Sequence, residues 1–225
     1  MSPENVIWLL LWGTLVGIDL VSVPQMMIAR PLVAGAGAGL LVGDVEMGLR
    51  LGVVLELFQF DVLPVGAARY PEYGPATVAA VVLAHGIDGA SATGVGVGLA
   101  LVLAMVGGLS LHGVRTLNAR AVRQWAEQLE AGDPQTLTRL HLAGMLRDLA
   151  RALSVTAFSL AVAWLAIRLG AATLPAPLLV ATSVAVCGAA LATGGMGLLR
   201  LVGRGSNLKW LAAGITAGLV LAWLA

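Results

Sequence analysis

The segment RPLVAGAGAGLLVGDVEMGLRLGVVLELFQFD, residues 30–61, is apolar enough for a bilayer, yet it carries Arg30, Asp44, Glu46, Arg50, Glu56 and Asp61. A charged side chain at the centre of a membrane costs about 2.5–3.5 kcal/mol on insertion scales. Two apolar stretches lie inside the segment, Pro31 to Gly43 and Gly48 to Phe60, of thirteen residues each. At about 1.5 Å per residue, neither crosses a hydrocarbon layer of about 30 Å as an ordinary helix. The polar turn GDVEMG separates them. Short, glycine-interrupted hydrophobic segments are the pattern of broken or re-entrant helices around a solute site. Such backbone is tolerated at membrane depth only when buried in protein or lining a wet cavity.

The rest of the chain supports a membrane reading. It is 59% hydrophobic and only 11% charged, with mean hydropathy +0.92. A soluble domain is about 45–50% apolar and about 25% charged. The runs 6–23, 94–111, 152–167, 177–192 and 211–225 approach or reach spanning length. The first run has no Lys or Arg before it, which argues against a removable signal. Cys187 is the single cysteine and sits in an apolar run, so no internal disulfide forms, and three scattered histidines predict no metal site. The fold class expected is an all-α integral membrane protein, a polytopic helical bundle with short helices in its N-terminal third.

Six of the thirteen basic residues fall between Arg115 and Arg151. There Val114, Leu117, Ala121, Trp125 and Leu129 recur every three or four residues, the period of one apolar helix face. Asp133-Pro134 reads as an N-cap followed by proline at the first helical position. Two amphipathic helices at the cytoplasmic surface are expected, with Arg120, Arg123, Arg139 and Arg147 available to a soluble partner or to anionic lipid. A second basic group, Arg200, Arg204 and Lys209, follows two apolar segments later, while the turn 170–177 is uncharged and is placed outside. The chain thus divides into residues 1–112, a membrane region holding the polar segment; 113–151, the amphipathic cytoplasmic segment; and 152–225, the C-terminal membrane helices.

Glycines recur at intervals of four: Gly35, Gly39 and Gly43; Gly48 and Gly52; Gly13 and Gly17; Gly94 and Gly98; Gly214 and Gly218. Each series makes a flat strip through which helices approach closely in lipid. These strips offer more packing faces than one small bundle needs, which predicts membrane partners. GAGAG lacks the full GxGxxG pattern and a preceding strand, so it is not read as a phosphate loop.

The charges must then face protein or water. Glu46 and Arg50 are four apart and could pair, and Asp44 could cap the turn ahead of Gly48. Glu56 stands among VVL and LF and needs either a ligand or an ion pair, for which Arg30 and Arg69 are the candidates. Gln25, Asp19 and the aromatic residues Phe58, Phe60, Tyr70 and Tyr73 are near it in sequence. Carboxylates and amides beside aromatic rings suit a sugar, although membrane interfaces also collect tyrosine.

In that order, Asp19, then Pro24-Gln25 to Arg30-Pro31-Leu32, Gly43-Asp44, Gly48-Leu49, Leu55-Glu56-Leu57, Pro64-Val65-Gly66-Ala67 and Pro71-Glu72, the chain resembles one family. It is similar to the membrane C subunit of the mannose/fructose/sorbose class of the phosphoenolpyruvate-dependent sugar phosphotransferase system. The resemblance covers about residues 5–200, and Arg115-Thr116 with the amphipathic stretch after it also fits. It implies a sugar-conducting permease subunit of the bacterial cytoplasmic (inner) membrane. Such a subunit works with a D-type membrane subunit and cytoplasmic A and B components, as a homo-oligomer of heterodimers, and has no nucleic-acid partner. The phosphoryl group travels on A and B, so His85, His112 and His141 are not phosphorylated, no cofactor is implied, and the chain is not catalytic alone.

The same resemblance carries sugar binding to Gln25 and Glu56, and less securely to Asp19. Arg30, Asp44, Asp61, Arg69 and Glu72 are read as structural support of the pocket. Glu72 stands where the family has aspartate, and Phe58 to Asp61 replace a more neutral stretch. Two other readings stay open: a secondary transporter or channel using Glu56 or Asp61 as a proton-linked carboxylate, and a transport-silent scaffold for regulatory components.

Overall fold

The computed structural model describes residues 3–23, 25–60, 62, 68–87 and 90–202, with the single positions 209, 213 and 216. Asp61, Arg204, Gly214, Gly218 and the last apolar run apart from 213 and 216 therefore lie outside the described residues. The described elements are all helical. Helix α1, Pro3–Asp19, is followed by the irregular residues 20–23 and 25–30 and then by α2, Pro31–Val42. Proline supplies the first helical position of α2, and Gly43, at φ 80°, ends it in the left-handed region. The Asp44 carboxylate then accepts the Met47 N–H at 3.0 Å and opens α3, Val45–Gln59.

Glycine lets α2 and α3 nest. A β-carbon on Gly48 would lie 2.3 Å from the Gly35 carbonyl oxygen, and one on Gly35 would lie 2.4 Å from that of Gly48. No larger residue fits either position without driving the two backbones apart. Two short helices joined by a two-residue turn thus form one hairpin through their small-residue strips.

Against this hairpin packs α4, Tyr73–His85, an element that sequence reading did not anticipate. Every one of its residues except His85 is buried. Its run PATVAAVVLA has no polar face because it has no exposed face, and its thirteen residues are too few to span a bilayer.

Three longer helices complete the bundle: α5, Thr93–Gln124; α7, Pro134–Arg168; and α8, Ala176–Val202. All three are long and apolar enough to cross a membrane. The amphipathic segment is continuous with two of these helices. Residues 113–124 are the last turns of α5, and residues 134–151 are the first half of α7, with only the short α6, Ala126–Glu130, between them. Neither helix meets a proline at the expected boundary, so neither stops there. At 32 and 35 residues, they extend to about 48 and 52 Å, well past a hydrocarbon core of about 30 Å. The extensions pack on each other: Arg147 donates to Asn118 Oδ1 at 2.8 Å, and the Arg139 guanidinium lies 5.8 Å from the Trp125 ring.

Two of the glycine strips expected to meet other subunits are used within the chain. Gly13 and Gly17 face Thr156 and Ala152 of α7, and Gly94 faces the backbone of α8 at Thr182 and Ser183. Nothing lies within 4 Å of a β-carbon built on Gly98. The architecture is a multi-pass helical membrane bundle.

Candidate functional site

Residues 20–23 and 25–30 lie between α1 and α2 without regular structure, so their backbone needs other hydrogen-bond partners. Asp19 provides them. Its buried carboxylate accepts the Met26 N–H at 2.8 Å and the Ala29 N–H at 3.1 Å. The Gln25 amide donates to the Leu20 carbonyl at 3.2 Å. Between these restraints Met27 adopts φ 64°, unusual for a residue with a side chain, and Met26 and Met27 stand exposed.

At the end of this loop the Arg30 guanidinium pairs with Glu56 Oε1. The other Glu56 oxygen accepts the Leu32 N–H at 3.2 Å, one of the unpaired donors of the first turn of α2. Arg30 also lies 5.7 Å from the Phe60 ring. Glu56 is therefore held by Arg30 rather than Arg69, and Arg69 instead approaches His112 Nε2 at 3.3 Å. The structure gathers Asp19, Gln25, Arg30 and Glu56 around one loop. It leaves Asp44 at the opposite end of α2, where His85 Nδ1 is 3.8 Å from its carboxylate.

Beneath the loop lies a second polar centre. Arg151, in the middle of α7, donates through Nη1 to Glu72 Oε2 at 2.5 Å, through Nε to Asp148 Oδ1 at 2.7 Å, and through Nη2 to the Gly17 carbonyl at 2.9 Å. The Ser22 hydroxyl donates to the other Asp148 oxygen. All three charged side chains are almost fully buried, at 4% exposure for Arg151 and 2% for each carboxylate. The cluster ties α1, the loop after it, the residues before α4, and α7 into one unit. Its two carboxylates and one guanidinium sum to a charge of −1.

Sequence reading counted Arg151 with the basic surface residues and did not connect it to Glu72. The available signal was the spacing of Asp148 and Arg151, three apart on one helix face and followed by the uncharged run ALSVTAFSLAVAWLAI. The approach of Glu72 to α5 depends on glycine. The Glu72 N–H donates to the Ala104 carbonyl at 2.8 Å, and a β-carbon on Gly108 would lie 2.1 Å from the Tyr70 carbonyl oxygen. Tyr70 in turn accepts from Arg115 Nη2 at 2.5 Å through its hydroxyl.

Chemically, the region offers carboxylate and amide acceptors, backbone amides, aromatic rings and one guanidinium around an irregular loop. That set suits a neutral polyhydroxylated solute. Among the described residues no group of three or more His, Cys, Asp or Glu side chains comes together as a metal site would require.

Comparison with known proteins gives the same direction. Solved structures share the fold: a membrane protein aligns over all of this chain and 95% of its own, with TM-score 0.72 and 18% identity. A chain from the mannose transporter ManYZ in complex with a microcin aligns over all of this chain and 88% of its own, with TM-score 0.62 and 20% identity. Among curated proteins, the fructose permease IIC component of Bacillus subtilis is 30% identical over 146 residues, which is 65% of this chain and 53% of that protein. The sorbose-specific EIIC component of Klebsiella pneumoniae is 26% identical over 145 residues, 64% of this chain and 53% of that protein. The mannose-specific EIIC component of Escherichia coli strain K12 is 27% identical over 116 residues, 52% of this chain and 43% of that protein. The aligned portion thus amounts to about half the length of these curated relatives. The family model for the sorbose-specific IIC component of the phosphotransferase system matches residues 5–222. The chain belongs to the sorbose-specific IIC component family of the phosphotransferase system.

Proposed function

We propose that this chain is a sugar-translocating membrane subunit of a bacterial phosphotransferase system, seated in the cytoplasmic membrane. The observation that carries the reading is the loop between α1 and α2, held by buried Asp19 and closed by the Arg30–Glu56 pair, in a chain whose residues 5–222 fit the IIC family. A hexose-type sugar binds at this loop. Gln25 and Glu56 exchange their present partners for sugar hydroxyls, while Asp19 keeps the loop in shape. Relatives named for fructose, sorbose and mannose support a sugar of that class.

The chain works with a D-type membrane subunit and with A and B phosphocarriers, in an oligomer of such heterodimers. The extensions of α5 and α7 face the cytoplasm, and the turn around 170–176 faces outward. Accumulation follows from phosphorylation of the delivered sugar by the B component.

The test is reconstitution. Vesicles containing this chain with D, A and B components and phosphoenolpyruvate accumulate sugar phosphate, and vesicles with this chain alone give no concentrative uptake. Ion-gradient-driven accumulation by the chain alone overturns the proposal in favour of a secondary transporter. Tight partner binding without any sugar transport overturns it in favour of a scaffold. In the working complex, Glu56→Gln and Gln25→Ala each weaken sugar binding about ten- to a hundredfold.

A further inference from the structure

Gln59 ends α3 and Glu72 precedes α4, and both line one small cavity of about 30 Å³. Gln59 Oε1 and Glu72 Oε1 are both buried, and neither has a hydrogen-bond partner among the described residues. The second Glu72 oxygen is fixed on Arg151, so the carboxylate cannot turn its free oxygen elsewhere without breaking the buried cluster. Buried acceptors without donors are costly, and native proteins keep few of them. An ion-paired carboxylate oxygen and an amide oxygen only accept. The group complementary to this cavity is therefore a donor. It is also small, since the space exceeds the roughly 10–15 Å³ needed for one water-sized group but does not admit a sugar ring. A hydroxyl meets both conditions without adding charge next to Arg151 and Arg115.

The cavity's position links it to the loop. Leu20 and Ala29 of the loop line it, and Ala29 is one of the two residues that Asp19 holds in place. Tyr70 and Tyr73 line it as well. We infer that the Gln59–Glu72 cavity is the hydroxyl-recognition subsite of the solute. One hydroxyl of the sugar enters it and donates to these oxygens, while the ring stays at the loop with Gln25 and Glu56. Gln59 and Glu72 thereby set which sugar is accepted, by rejecting rings that do not present a hydroxyl at that position. The inference rests on the sugar-binding reading proposed above.

The experiment measures equilibrium binding to membranes carrying the assembled complex, using mannose, fructose, sorbose and the monodeoxy analogues of the sugar that binds best. In the wild type, removing one particular hydroxyl weakens binding about ten- to a hundredfold. Gln59→Met has similar length without an acceptor. It weakens the parent sugar and binds the parent and that one deoxy analogue with affinities within about twofold, while its discrimination at the other hydroxyls is unchanged. If Gln59→Met keeps the wild-type discrimination, the subsite is overturned and the sugar site itself stands. If the wild type binds all monodeoxy analogues equally, the subsite is overturned without reference to any variant. If the wild-type complex binds none of the three sugars, the proposed function fails and the inference fails with it.

Discussion

The Arg30–Glu56 pair and the Arg151–Glu72 pair differ in exposure and in how far apart their partners lie in the chain. Arg30 and Glu56 belong to neighbouring elements of one hairpin, and their side chains keep 38% and 12% of their exposure. Arg151 and Glu72 are separated by 79 residues and keep 4% and 2%. The first pair can open toward solvent or a solute, and each partner then finds other company. The second cannot, because any rearrangement strands a charge among helices. An openable charge pair can exchange partners with a solute, and a buried one holds its carboxylate in a fixed place.

The largest effect separates them directly. Arg151→Met leaves Glu72 and Asp148 facing each other in the interior, and is expected to cost about 3–5 kcal/mol. The chain should then fail to accumulate in membranes. Replacing all three together, Arg151→Met with Glu72→Gln and Asp148→Asn, should recover most of that loss in thermal unfolding of the detergent-solubilised protein. If Arg151→Met melts like the wild type, the distinction between the two pairs is wrong.

The hairpin carrying Glu56 should break by volume rather than by charge. Gly48→Val forces a side chain against the Gly35 carbonyl and should lower stability by about 1–3 kcal/mol. Gly98→Val meets no atom within 4 Å of its β-carbon and should leave the unfolding midpoint unchanged. Equal midpoints for the two variants would remove the close-approach argument. Glu56→Gln should change stability by no more than about 1 kcal/mol, as expected for a partly exposed pair. A loss as large as that of Arg151→Met would place Glu56 with the buried pair.

Smaller still is the exposed Glu46–Arg50 pair on α3, where Arg50→Ala should cost about 0.3–0.5 kcal/mol. Asp133 gives the smallest effect. The Thr136 hydroxyl and the N–H of Gln135 hold its carboxyl below its ordinary value of 3.8, and it is partly exposed. A depressed carboxyl stabilises the start of α7 above its unfolded value, and that contribution disappears as pH falls through the folded value. A spin label at Leu137 should gain mobility on acidification from about pH 5 to below about pH 3, and the same label in Asp133→Asn should show no such step.

The hairpin was legible in the sequence because its cause is local. Glycines four apart, a proline at Pro31 and the Gly43-Asp44 turn each act within a few residues. The start of α7 was legible for the same reason, through Asp133-Pro134. Arg151 was misread because its neighbours in sequence, Arg139 and Arg147, sit on the helix extension; only the unbroken path of α7 carries Arg151 into the interior. Position along a long helix, rather than composition of a window, decides whether an arginine meets water or a carboxylate. Helix α4 escaped notice because a segment buried on all sides has no polar stripe to reveal its period. Gln59 looked like one more polar residue before a loop, and its unpaired oxygen emerges only when α3 and the Glu72 segment are brought together.

The continuity of α5 and α7 has a mechanical meaning. An α-helix is stiff over tens of ångströms, so each acts as a rod whose two ends cannot be displaced separately. A tilt of about 5° in a rod of about 48 Å moves one end by about 4 Å relative to the other. The cluster on Arg151 clamps the α7 rod partway along its length to α1 and to the segment before α4. Load applied to the far tips near Trp125 and Arg139 is therefore delivered as torque at that fulcrum, next to the loop that Asp19 holds.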